Sequence, residues 1–166
     1  MRAPERRSCH ERVDFGRRLR RSPPVLDSVL LGAASGLRSQ LGVAAVVVRS
    51  DRSLPSVVRS PWAKRVFVAG AALELVVDKL PVTPSRLEAR GIVARLALGA
   101  LAAGLSARTR HAGWFPAAAI GASSAAVAAK VGHDVRARLA HHVPDLAVAV
   151  VEDVVALTLA AAGSSH

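Results

Sequence analysis

Apolar stretches of helical length alternate with short polar joints along most of this chain. The first runs from about Val25 to Val48, directly after Pro23-Pro24. The joint Arg49-Ser-Asp-Arg-Ser-Leu-Pro55 carries turn residues. Ser60 then makes an N-cap and Pro61 suits the first helical position, so a second helix starts there. It reaches about Leu80 and stops at Pro81. Residues 81–86 form a short rigid loop, and Ser85 with Glu88 fits a capping box. A third helix covers about 86–107, and the basic turn Arg108-Thr-Arg-His-Ala-Gly113 follows. The fourth begins near Trp114 and extends to about Leu139, growing polar after Ala129. His141-His142-Val143 leads to a fifth, opened by Pro144 and Asp145 and ending near Gly163. Asp145 in a first turn complements the helix dipole.

A transmembrane helix needs about 20 mainly apolar residues. Only residues 112–129 form a long stretch with no ionised side chain, and each other helix holds one to three charges near its middle. Five segments of the right length with short polar joints predict an all-α integral membrane bundle of about five spans. Four spans with a surface or re-entrant helix is the alternative. Residues 1–22 read as a basic, disordered tail and 23–166 as the helical transmembrane domain.

Composition sharpens this picture. Hydrophobic residues make up 51% and mean hydropathy is +0.32 although 21% of residues are charged, so the charges must be concentrated. Apolar side chains are chiefly Ala, Val and Leu, with 3% aromatics and no Tyr. Small side chains let helices approach closely in lipid, although an Ala-rich soluble bundle would share this composition. Residues 1–22 carry eight arginines against Glu5, Glu11 and Asp14, a net +5. Such a tail suits anionic lipid headgroups and retention in the cytoplasm. Nucleic acid is the weaker partner, because neither aromatic interleaving nor a recognition motif accompanies the arginines. Cys9 is the only cysteine, which excludes a disulfide framework within one chain. The first apolar stretch is a poor signal peptide, interrupted by Asp27 and Arg38, and reads as retained. With five spans, the N-terminus lies inside and the C-terminus outside; the basic first joint falls on the outer side.

The polar candidates lie inside the apolar helices. Arg38 is midway along the first, Glu74 is about seven residues before Pro81, Arg95 is central in the third, and Glu152 and Asp153 are central in the fifth. Asp78 lies nearer a helix end. Each charge at a helix centre costs at least about 2.5–3.5 kcal/mol on insertion scales, so these residues should face one another or a wet cavity. Gly70, Glu74 and Asp78 share one helical face, as do Gly91, Arg95 and Gly99. Gly32 with Gly36 and Ser35 with Ser39 supply small-residue ridges beside Arg38. Three carboxylates against two arginines leave one acid short of a partner. That favours a proton, ion or substrate site; ion pairs that only fix helix packing are the competing reading. Gly32-Ala-Ala-Ser35 is echoed by Gly121-Ala-Ser-Ser124, each followed one helix later by an acid-bearing helix, as an inverted two-helix repeat would have it.

Other chemistry is thin. His133-Asp134 and His141-His142 lack a third ligand at metal spacing, so no metal or cofactor is expected. No phosphate-binding glycine loop or nucleophile elbow occurs, and the chain is not read as an enzyme. Ser123 and Ser124 should bond back to their own helix.

Three segments, Ser35-Gly-Leu-Arg-Ser39, Glu74-Leu-Val-Val-Asp-Lys-Leu-Pro81 with Thr83-Pro-Ser-Arg86, and Glu152-Asp-Val-Val-Ala156, resemble an uncharacterised bacterial membrane-protein family, domain of unknown function 4126. The resemblance spans most of residues 27–160 and implies a small multi-span helical protein of the bacterial cell membrane. It carries no activity with it, and the arginine tail lies outside it. The expected function is therefore transport-like or channel-like, with an unidentified substrate and room for a homo-oligomer. A structural or scaffolding membrane protein is the alternative.

Overall fold

The computed structural model describes residues 23–49, 53–77, 89–139 and 142–165, and these are helical with no strand. The helices are α1 (Pro24–Leu37), α2 (Leu41–Val48), α3 (Ser56–Arg59), α4 (Pro61–Val77), α5 (Ala89–Thr109), α6 (Trp114–Leu139) and α7 (Asp145–Gly163). The Ser60 hydroxyl accepts the Ala63 N–H at 3.1 Å and so caps α4 as its sequence predicts. Ser123 and Ser124 donate to the Ala119 and Ile120 carbonyls at 2.9 and 2.8 Å, back within α6. The capping box at Ser85 and Glu88 lies outside the described residues.

The first apolar stretch is not the continuous helix its length suggests. α1 stops at Leu37, Arg38 is extended (φ −136°, ψ 108°), and the chain resumes as α2 at Leu41. α2 folds back along α1: a Cβ placed on Gly42 would touch the Ser35 hydroxyl and lie 2.6 Å from the Leu31 carbonyl oxygen. In one straight helix those two positions would be roughly 16 Å apart at 1.5 Å per residue. Three successive polar residues, Arg38-Ser39-Gln40, form the bend, and each finds a partner there that a straight helix would not offer.

Contacts fix the direction of every long helix. Gly32 lies against Gly121 and Ser124, and Gly36 against Ala125 and Ala128, so α1 and α6 run parallel. Gly99 meets Gly121 and Ala125 while Gly104 meets the Trp114 ring, so α5 runs antiparallel to them. Gly163 lies against Leu30 and Leu31, and Arg38 reaches Asp153, so α7 also runs antiparallel to α1. Lys64 approaches the Val48 carbonyl while Glu74 meets Ser39, which sets α4 antiparallel to α2. One end of the bundle therefore gathers the starts of α1, α4 and α6 with the ends of α2, α5 and α7. There the Arg110 guanidinium pairs with buried Asp27 at 2.7 Å, and the Arg108 guanidinium sits 5.5 Å from the centre of the Trp114 ring.

On α6 and α7, burial is inverted relative to a water-soluble bundle, while Leu31, Val43, Val46, Val47, Leu54 and Leu105 form an aliphatic core between the other helices. The inward stripe of α7 is Ala149, Asp153, Ala156, Ala160 and Gly163, whereas Val151 and Val154 are 63% and 57% exposed. In α6 the inward residues are Ala117, Gly121, Ala125 and Ala129, with Val127 and Phe115 outward. Among the described residues, Gly91–Thr109, Trp114–Leu139 and Asp145–Gly163 are long and apolar enough to cross a membrane. The shorter α1 is also apolar.

The echoed strings Gly32-Ala-Ala-Ser35 and Gly121-Ala-Ser-Ser124 turn out to face each other across the α1–α6 contact. α6 has no counterpart to the break at Arg38. A Cβ at position 32 would come 2.8 Å from Gly121 Cα, a backbone atom that cannot rotate aside. Gly32→Ala is expected to destabilise the detergent-purified protein by about 1–3 kcal/mol, read as a lowered thermal midpoint.

Candidate functional site

The bend at residues 38–40 places backbone amides without helical partners in the interior of an apolar bundle. Such groups must find acceptors, because orphaned donors away from water cost about 1–3 kcal/mol each. Glu74, across on α4, supplies them. Its Oε1 accepts the Ser39 N–H at 2.9 Å and the Ser39 hydroxyl at 2.7 Å, and its Oε2 accepts the Gln40 N–H at 3.0 Å. The carboxylate thus closes the N-terminus of α2, where the helix dipole favours negative charge. Gly70, one turn earlier on the same face, leaves room for the Gln40 side chain: a Cβ there would lie 3.2 Å from Gln40 Cδ.

Arg38, on the opposite side of the bend, is about 1% exposed and points to α7. Its Nε donates to Asp153 Oδ1 at 2.6 Å, and its Nη2 closes on the same oxygen. Asp153 is one residue before Val154, the middle of α7, so the bend lies halfway along a helix of spanning length. Next to Asp153, Glu152 accepts from Arg136 Nη2 at 2.8 Å across the α6–α7 hairpin. The Arg136 Nε also lies 3.6 Å from a carboxylate oxygen of exposed Asp145. Arg95 on α5 is 9% exposed and sits in the combined field of Glu74 and Glu152, with Arg38 and Arg136 as its like-charged neighbours.

Five of the six candidates, Arg38, Glu74, Arg95, Glu152 and Asp153, therefore belong to one constellation around the hairpin tip. Asp78 lies outside the described residues. The charge count differs from the sequence reading, because Arg136 joins and makes three arginines against three carboxylates. The acid short of a partner is absent: Glu74 is satisfied by the start of α2. Arg136 escapes sequence reasoning because it sits in the polar end of α6. Its signal is symmetry, since positions 136 and 152 lie equally far from Pro144 at the turn between α6 and α7. The Asp27–Arg110 pair also goes unforeseen, Asp27 reading only as an interruption of the first apolar stretch and Arg110 as part of a basic turn. His133 is exposed, and Asp134 pairs with Lys130 at 2.7 Å on the surface of α6. Among the described residues, no group of three or more His, Cys, Asp or Glu is placed to hold a metal.

Two apolar grooves reach this centre from the bundle surface. One of about 380 Å³ lies between α6 and α7, with Glu152 in its lining. The other, about 220 Å³, lies between α5 and α6 and is lined by Arg95 and Lys130 among small and aliphatic residues. Comparison with protein-family models, curated proteins and solved structures finds no match to this chain.

Breaking one member of a buried ion pair costs more than removing both, because the survivor is left charged in an apolar setting. Asp153→Ala should destabilise the protein by about 3–5 kcal/mol. The double variant Arg38→Leu/Asp153→Leu should recover most of that loss in the same thermal unfolding assay. Glu74→Ala should cost about 1–3 kcal/mol for each amide it orphans.

Proposed function

We propose that this chain is a small multi-pass membrane protein of transport-like or channel-like character, working through the polar centre at the tip of a re-entrant hairpin. The observation that carries this reading is the bend at Arg38-Ser39-Gln40, halfway along α7 and capped by Glu74. Non-helical backbone at membrane depth is tolerated only where protein buries it or a cavity meets it, and broken helices with ends aimed at a central site are characteristic of transporters. In this reading α4, α5, α6 and α7 span the membrane, and α1 with α2 enters and leaves from one side.

That arrangement places both chain ends on the same side. Seven Lys and Arg residues at that end (49, 52, 59, 64, 65, 108 and 110) join the eight tail arginines, making fifteen. Lys79, Arg86, Arg90, Lys130 and Arg138 make five on the other, Arg136 being drawn into the centre. The excess of positive charge supports a cytoplasmic side for both ends, and the arginine-rich sequence of the tail suits anionic headgroups. The basic first joint thereby moves from the outer face, where five spans would put it, to the inner one. The resemblance to domain of unknown function 4126 supports the same membrane setting.

The equal number of opposite charges favours a second reading, in which the centre is only a clasp for helix packing. Two measurements address both matters. A membrane-impermeant maleimide should label native Cys9, and Ser165→Cys in a Cys9→Ser background, from the same side of oriented vesicles. Ser85→Cys should label from the opposite side, and five spans would instead separate positions 9 and 165. In proteoliposomes, the folded Glu74→Gln variant should dissipate an imposed pH or ion gradient at least about tenfold more slowly than the parent, a change of about 1.4 kcal/mol in barrier. Equal rates would leave the clasp.

A further inference from the structure

The groove between α6 and α7 is apolar along its length and charged at one point. Leu37, Val131, Val135, Val148, Val151 and Val155 line it, and Glu152 is the charged residue in its lining. Its volume of about 380 Å³ falls within the range of small-molecule sites, which are mostly apolar with a few placed polar groups. Gly132 forms the floor, where a Cβ would meet Glu152 Oε1 at 3.2 Å and Leu37 Cδ2 at 3.1 Å. Val131, Val135, Val151 and Val155 are each 44–63% exposed, so the groove opens on the outer surface of the bundle. In a membrane, that surface faces acyl chains.

The counter-ion of Glu152 has a second acid within reach. Arg136 holds Glu152 at 2.8 Å through Nη2, while its Nε stands 3.6 Å from Asp145. Asp145 is an exposed residue in the first turn of α7. A small side-chain movement would transfer the guanidinium from the inner carboxylate to the outer one. Glu152 can then exchange one cationic partner for another at the edge of an otherwise apolar slot.

We infer that the α6–α7 groove is a lateral binding site for lipophilic cations, molecules with an alkyl body and a single ammonium head. The alkyl body occupies the valine-lined slot, the ammonium pairs with Glu152, and Arg136 exchanges to Asp145. The bound cation brings the group of Arg136, Glu152 and Asp145 from net negative to neutral, because two cations then face two carboxylates. A carboxylate head would meet Glu152 as a like charge, and a neutral head would gain no ion pair. This inference rests on the transport-like reading and names the substrate class of its polar centre.

The test uses the full chain in nanodiscs of zwitterionic lipid, with binding taken as the saturable component above protein-free discs. Octyltrimethylammonium, octanoate and octanol are the probes. Saturable binding is expected for the ammonium alone. Glu152→Gln should weaken it by about tenfold or more, about 1.4 kcal/mol, because the quaternary head loses its ion pair. Asp145→Asn, at a solvent-exposed position, should weaken it several-fold by removing the second partner of Arg136 while leaving the thermal midpoint in place. Equal binding of octanoate or octanol overturns the inference, as does ammonium binding indifferent to both substitutions. Gradient dissipation measured on the same purified protein in proteoliposomes separates the two levels. Activity without ammonium binding removes the substrate class and keeps the transport reading, and loss of both removes both.

Discussion

Everything at the centre of this bundle depends on satisfying a few backbone amides far from either end. Once the chain turns at Arg38, Ser39 and Gln40 present N–H groups that no intrahelical carbonyl can reach, and an apolar bundle has nothing else to offer them. Glu74 answers with both carboxylate oxygens. Its negative charge is in turn placed against the positive end of α2, with Arg95 close enough to be felt. Arg38, whose side chain the bend directs the other way, needs Asp153. The hairpin is therefore held on two sides, by α4 and by α7, through groups of opposite sign.

Packing around this knot relies on very small residues. Gly32, Gly36, Gly99 and Gly121 bring α1, α5 and α6 into backbone contact, so the apolar part of the interior is thin. On α6 and α7 the large aliphatic side chains are mostly on the outside. This division explains why so charged a chain remains apolar on average: most central charges are drawn inward to one depth, while the valines of α6 and α7 face out and the larger aliphatic side chains of α1, α2 and α5 fill the core.

Helix existence, type and most ends are legible in the sequence, because apolar runs of about twenty residues, Ser60-Pro61 and Pro144-Asp145 are local signals. The depth of Arg38, Glu74, Arg95, Glu152 and Asp153 is legible too, since counting from helix ends measures depth directly. The break in the first stretch is not. Residues 25–48 have the length of one span, and the acid that makes a turn affordable lies 35 residues further on. Nor is the identity of each partner, because charge counts along separate helices say nothing of which faces meet. Arg136 is the clearest instance, a residue at a polar helix end that returns to the centre by way of the α6–α7 turn. The repeated Gly/Ala/Ser string shows the converse, a pattern suggestive of duplication that serves as the two sides of one contact.

The two anchors of the hairpin also order its assembly in time. Ser39 and Gln40 cannot be satisfied until α4 is in place, and Arg38 cannot be neutralised by Asp153 until α7, 115 residues further along the chain, has packed against the hairpin. The first apolar segment therefore settles only after helices that follow it in sequence have joined the bundle.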